Sequence, residues 1–190
     1  MNKTAAVGAV LDAVKTEPIV FTTGYACRIA KGIADRPNHF YMTGSMGLAS
    51  SIAIGIGRQT KRPTVVVDGD GSLLMNPVGL FTAGSMGDLP LVHVVLDDGR
   101  YASTGGQAVA PAGADFGAMA VACGYRDVRR VTDVATLGAI LGAAMRACVS
   151  PIFVHCLLSD VDDPVSGRVD LDLHEYTERL RGHIRGLLAA

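Results

Sequence analysis

Three segments of the 190-residue chain, 64–67 (TVVV), 91–96 (LVHVVL) and 152–158 (IFVHCLL), are β-branched or apolar almost without a break. A strand with one wet face alternates apolar and polar residues. An unbroken run means burial on both faces, as in a parallel sheet covered by helices above and below. Weaker strand signals stand at 19–22, 40–42 and 125–128. Between the strands lie segments that predict helices at 4–16, 26–34, 47–57, 74–86, 116–123, 133–149 and 171–188. Strands that alternate with helices, joined by right-handed crossovers, give a doubly wound, mainly parallel α/β layer with helices on both faces. The length suits one domain, 1–190, and no internal repeat or linker divides it. The stretch 161–169 (VDDPVSGRV) is the most loop-like, and a mobile loop is expected there.

Composition removes several function classes. Lys and Arg number 17 against 18 Asp and Glu, with no basic cluster, so a nucleic-acid surface is not expected. No apolar run approaches the ~18 residues of a membrane span. The first 18 residues carry acids and lack a strong apolar centre, unlike a signal peptide. Cys27, Cys123, Cys148 and Cys156 form no C-x-x-C pair. Buried, reduced thiols in a cytoplasmic protein are the expectation.

The run at 64–67 ends in Asp68-Gly69-Asp70-Gly71-Ser72. In a doubly wound sheet, ligands bind beyond the carboxyl ends of the strands. Gly71 lets the backbone approach a ligand, and a following helix offers free N–H groups to phosphate. An acid there would repel phosphate unless a divalent cation stood between them. An EF-hand is excluded: counted from Asp68, its sixth and twelfth positions hold Leu73 and Gly79 instead of Gly and Glu. A dinucleotide fingerprint would need Gly at position 74, which is Leu74. A turn whose Gly and Asp serve geometry alone stays open at this point. The run at 91–96 ends in a second acid pair, Asp97-Asp98. If the two strands are neighbours, Asp70 and that pair face one site suited to Mg²⁺, with two carboxylates and phosphate oxygens.

The ordered motifs TTGYACR, FYMTGSMGLASSIAIGIG, DGDGSLLMN and VHVVLDDGRYASTGGQ resemble the thiamine diphosphate-dependent decarboxylases, phosphonopyruvate and sulfopyruvate decarboxylases in particular. The likeness is strong over 19–110 and architectural elsewhere. It implies thiamine diphosphate and Mg²⁺ as cofactors, with the metal held by the side chains of Asp70 and Asp98 and the backbone carbonyl of Arg100. Asp98 follows Asp70 by 28 positions, close to the family's spacing. Asp98 stands where the family usually has Asn, and Asp97 is the alternative ligand. Gly71 and Ser72 would meet the diphosphate, the Gly44 carbonyl the aminopyrimidine, and Met46 would prop the bent cofactor. Thr23, Gly24, Ser45 and Gly69 complete the implied contacts.

The family also requires a glutamate beside the pyrimidine ring, carried on a separate pyrimidine-binding domain. No glutamate fits here: Glu17 precedes a strand at its amino end, and Glu175 and Glu178 fall in the terminal helix. The resemblance therefore implies the β subunit of a split decarboxylase, active with a pyrimidine-binding α subunit in a hetero-oligomer, on phosphonopyruvate or sulfopyruvate. That the chain opens directly on a helix favours a split subunit over a fragment of a fused enzyme. Another 2-oxo acid enzyme, such as an acetolactate-forming one, and a non-catalytic cofactor-binding protein are the alternatives. Arg28 is either a substrate-anion contact or a solvated helix residue. Ser103 and Thr104 are candidates for the substrate side. His93 and His155 are expected to be buried and hydrogen-bonded, and His39 to lie at the surface.

Overall fold

The structure is a computed structural model and describes residues 1–109, 114–160, 167–170 and 172–189. Its elements in chain order are α1 (Lys3–Ala13), β1 (Ile19–Phe21), α2 (Tyr25–Ile33), β2 (His39–Tyr41), α3 (Ala49–Thr60), β3 (Thr64–Gly69), α4 (Asp70–Met75), α5 (Val78–Gly84), β4 (Leu91–Asp97), α6 (Phe116–Ala122), β5 (Asp127–Val131), α7 (Val134–Ala147), β6 (Ile152–Leu157) and α8 (Leu173–Ala189). The loop expected at 161–169 falls mostly outside the described residues.

Six strands pair in the order β2-β1-β3-β4-β6-β5, every pair parallel. The central strands are buried on both sides, which is why they read as unbroken apolar runs. Val65 and Val67 of β3 face the layer of α1, α2 and α7, where Val10, Ala30 and Leu141 pack. Val66 faces the opposite layer of α3, α5 and α6, with Ala53, Leu80 and Ala120. Each fully buried Val or Leu among these contributes roughly 1.5–3 kcal/mol of transfer free energy. The strands run one way and the intervening helices return. All strand carboxyl ends therefore lie on one edge, together with the first residues of the helices.

Three sequence expectations are corrected. The helix expected at 74–86 is two: α4 starts at Asp70, inside the acidic motif, and α5 starts after Pro77. Pro77 has no N–H to continue α4, and Asn76 leaves helical geometry at φ −152°. The strand expected at 125–128 is β5, Asp127–Val131, on the sheet edge, where exposed Arg129 and Arg130 are tolerated. Tyr125 lies before it, buried against Phe153 and His93. His39 is not at the surface: it is fully buried in β2, its ring 5.3 Å from that of Phe21. Its Nδ1 lies 3.0 Å from the Tyr41 hydroxyl, and that hydroxyl is 3.1 Å from Asp35 Oδ1. An aromatic partner on the neighbouring strand makes this edge position apolar enough to hold a neutral imidazole.

Candidate functional site

The tips of β3 and β4 are neighbours, with Asp68 paired to Val95 and Gly69 to Leu96. This registration brings the two acidic motifs to one place. Asp70, buried at the start of α4, points between them. Its Oδ1 accepts the Gly71 N–H at 2.7 Å and its Oδ2 the Gly99 N–H at 2.8 Å, so the carboxylate ties β3 to the turn after β4. Burial pushes its pKa up to about 7, and the nearby negative charges of Asp98 and Asp97 push the same way. A buried acid with two acids around it is a position that a cation would relieve.

The two members of the second pair have separate environments. Burial pushes the Asp97 carboxyl up, but its contact with His155 outweighs this and holds it below the usual carboxylate range. Asp97 Oδ2 lies 2.7 Å from His155 Nε2, and its Oδ1 accepts the Gly99 N–H at 3.1 Å. Asp98 faces the cleft that Asp70 faces. Both acids thus lie near Asp70; Asp98 lines the cleft with it, while Asp97 is also engaged by His155. Among the described residues no three His, Cys, Asp or Glu side chains are arranged to hold a metal ion by themselves. A cation between Asp70 and Asp98 would draw its other oxygens from the backbone and from a ligand, the pattern Mg²⁺ favours with phosphates.

The cleft is open to solvent, and about 470 Å³ of space, open solvent included, lies between its walls. Thr23 and Gly24 line it from the loop after β1, Met46 from the turn after β2, Gly69, Gly71 and Ser72 from the acidic motif, and Arg100 and Ser103 from the loop after β4. Gly44 and Ser45 lie in the same turn as Met46, and the Gly44 N–H is 3.3 Å from Thr23 Oγ1. That turn needs left-handed backbone at Gly44 (φ 87°), Ser45 (φ 50°) and Gly47 (φ 94°). Gly47 is also a close approach: a Cβ there would sit 2.7 Å from Asn76 Cβ. Ser72 Oγ accepts the Thr22 hydroxyl at 2.8 Å and the Gly47 N–H at 3.1 Å. One buried hydroxyl thereby fastens three separate motifs. Glu17, Glu175 and Glu178 all lie away from the cleft lining.

Several residues here carry no sequence signal that would find them. Lys3 of α1 reaches the cleft and pairs with Asp98 at 2.8 Å. The Tyr101 ring lies over Gly71, closely enough that a Cβ on Gly71 would run into it. Arg28 stacks its guanidinium 5.5 Å from the Tyr25 ring centre. It is not in the cleft lining, whereas Tyr25 is. Asp68 and His93 are both fully buried beneath the motif, with Asp68 Oδ2 3.5 Å from His93 Nε2. The His93 Nδ1 lies 3.3 Å from the Tyr125 hydroxyl, so His93 and His155 are both buried and polar-partnered, as expected.

Residues 22–156 match the family described as thiamine pyrophosphate enzyme, C-terminal TPP binding domain. The chain belongs to that family. It is 40% identical over 166 residues to a phosphonopyruvate decarboxylase of Streptomyces viridochromogenes, covering 87% of this chain and 42% of that protein. It is 36% identical over 188 residues to a sulfopyruvate decarboxylase subunit beta of Methanothermobacter thermautotrophicus, covering 98% and 97%. The chain thus spans about two fifths of the phosphonopyruvate decarboxylase and nearly all of the subunit beta. Among solved structures, benzoylformate decarboxylase from Polynucleobacter necessarius superposes with a TM-score of 0.71 at 16% identity, over 85% of this chain and 34% of that one, a likeness of fold. All four cysteines are free and buried. Among the described residues no helix is long and apolar enough to cross a membrane.

Proposed function

We propose that this chain is the diphosphate-binding part of a decarboxylase that converts phosphonopyruvate or sulfopyruvate to CO₂ and an aldehyde. The observation that carries the reading is the convergence of Asp70 and Asp98 at adjacent parallel strand tips, in the cleft that Gly24, Met46 and Ser72 also line. The names of its relatives supply the substrate class. The site chemistry fits a cation and a diphosphate: two acids, one raised by burial, beside glycine-rich turns.

In this reading Asp70 and Asp98 hold Mg²⁺ by their carboxylates and Arg100 by its carbonyl. Thr23, Gly24, Gly69, Gly71 and Ser72 surround the diphosphate. Gly44, Ser45 and Met46 meet the pyrimidine side. When bound, thiamine diphosphate supplies the electron sink for loss of CO₂ from a 2-oxo acid. Catalysis also needs an acid hydrogen-bonded to the pyrimidine and a cover that excludes water. With no glutamate at this cleft, both come from a pyrimidine-binding α subunit, and the working enzyme is a cytoplasmic hetero-oligomer of the two.

The test begins with calorimetric titration of thiamine diphosphate into the chain with and without Mg²⁺, and binding is expected only with the metal. CO₂ release from sulfopyruvate and phosphonopyruvate is then assayed with the chain alone and with its candidate partner. The chain alone is expected to be silent and the pair active. Full turnover by the single chain would refute the two-subunit reading, and activity with neither substrate would refute the substrate class.

A further inference from the structure

We propose that Lys3 is the counter-charge that lets an aspartate occupy position 98 in this cleft, an inference that rests on the cofactor reading above. Helix α1 runs against the strands, so its first residue arrives at their carboxyl edge. Its placement is fixed from both sides. Asn2 caps the helix, accepting the Ala5 N–H at 2.8 Å, and the Ser159 N–H donates to the Met1 carbonyl at 3.2 Å, holding the approach to α1 against the end of β6. Further along the helix, the inward positions Ala6, Val7 and Val10 are apolar and fully buried. Lys3 is where that packed face meets the cleft, and it too is 8% exposed.

Burying a lysine this far is unfavourable unless its charge is matched. Lys3 Nζ lies 2.8 Å from Asp98 Oδ2 and 5.9 Å from the centre of the Tyr25 ring, so both an acid and a π face receive it. The same holds for Asp98, whose side chain is 16% exposed and which adds to the negative surroundings of Asp70. An asparagine at 98 would bring no charge. Aspartate with Lys3 brings none in sum, and still offers a second carboxylate oxygen to a cation while Lys3 holds the first. Lys3 therefore acts through Asp98, as a positioning residue, and keeps the acid end of the cleft from repelling a diphosphate.

A double-mutant cycle tests this on the full chain: wild type, Lys3→Met, Asp98→Asn and the combination. Thiamine diphosphate is titrated calorimetrically at saturating Mg²⁺. Lys3→Met is expected to weaken binding roughly tenfold, the effect of one uncompensated charge several ångströms from the diphosphate at intermediate dielectric. In the Asp98→Asn background Lys3 is a lone positive charge near the diphosphate, so the same change is expected to weaken binding there as well, and the coupling between the two residues is read from stability. Lys3→Arg is expected to retain binding. No loss of binding on Lys3→Met in the wild-type background, or equal changes of thermal midpoint in both backgrounds, would overturn the proposal. The thermal midpoints of the four chains, measured in chelator without cofactor, give a second readout: Lys3→Met lowers the midpoint with Asp98 present and not with Asn there. A wild-type chain that binds no thiamine diphosphate would overturn the cofactor reading, and the midpoints would then decide the counter-charge role by themselves.

Discussion

Replacing Ser72 by alanine removes a single oxygen, yet the structure assigns it a large effect. That oxygen is 1% exposed with the rest of its residue, and it accepts from the Thr22 hydroxyl and from the Gly47 N–H. The lost volume is small. The cost comes from the two donors left behind. A buried donor without a partner costs about 1–3 kcal/mol. The Gly47 N–H is backbone and cannot turn away, so it bears the full penalty. The Thr22 hydroxyl can rotate toward another acceptor and bears the lower end. Together the loss is about 2–4 kcal/mol, or roughly 5–15 °C in thermal midpoint for a chain of this size. The assay is thermal denaturation of Ser72→Ala in metal-free buffer, so that ligand binding does not enter. Cofactor affinity should fall as well, because Gly47 is the far end of the turn that holds Gly44, Ser45 and Met46. A midpoint within about 2 °C of wild type would refute the idea that this hydroxyl fastens the three motifs together.

Asp70→Asn should lower Mg²⁺-dependent thiamine diphosphate affinity by roughly a hundredfold or more in calorimetry. The fold should survive, because relief of the buried charge offsets the loss of one of the two N–H bonds that the carboxylate accepts. Gly47→Ala should cost about 1–3 kcal/mol in urea unfolding, since φ 94° and the 2.7 Å approach to Asn76 both penalise a Cβ. His39 should make the protein acid-sensitive. Burial, helped by the Arg36 charge, lowers its pKa from 6.5 to about 4. The unfolded chain therefore takes up a proton below pH 6.5 that the folded one refuses until about pH 4. Stability from this group is full above pH 6.5 and falls by about 3 kcal/mol as the pH drops through that window. In urea unfolding from pH 7.5 to 4, wild type should lose more stability than His39→Phe by about that amount, and parallel curves would contradict it.

The sheet was legible because its central strands are buried on both faces, and burial on both faces leaves only one kind of residue to choose from. Its edges were less so. At β5 the charged Arg129 and Arg130 mask a strand, and at β2 a histidine sits in a buried place because Phe21 and Tyr41 surround it. Neither fact is local to the residue concerned. The same division runs through the site. Asp70, Gly71, Asp98 and the turn at 44–47 sit at strand ends, where order along the chain and position on the sheet edge coincide, so motifs reveal them. Lys3 and Tyr101 reach the cleft only through the fold, one from the start of a returning helix and the other from a loop that doubles back over Gly71. A lysine followed by TAAVGAVL reads as the polar start of an ordinary helix. The signal lies in its partner. An acid in the place of a neutral ligand requires a cation nearby, and the antiparallel return of α1 leaves its first turn as one of the few segments able to deliver one to that edge.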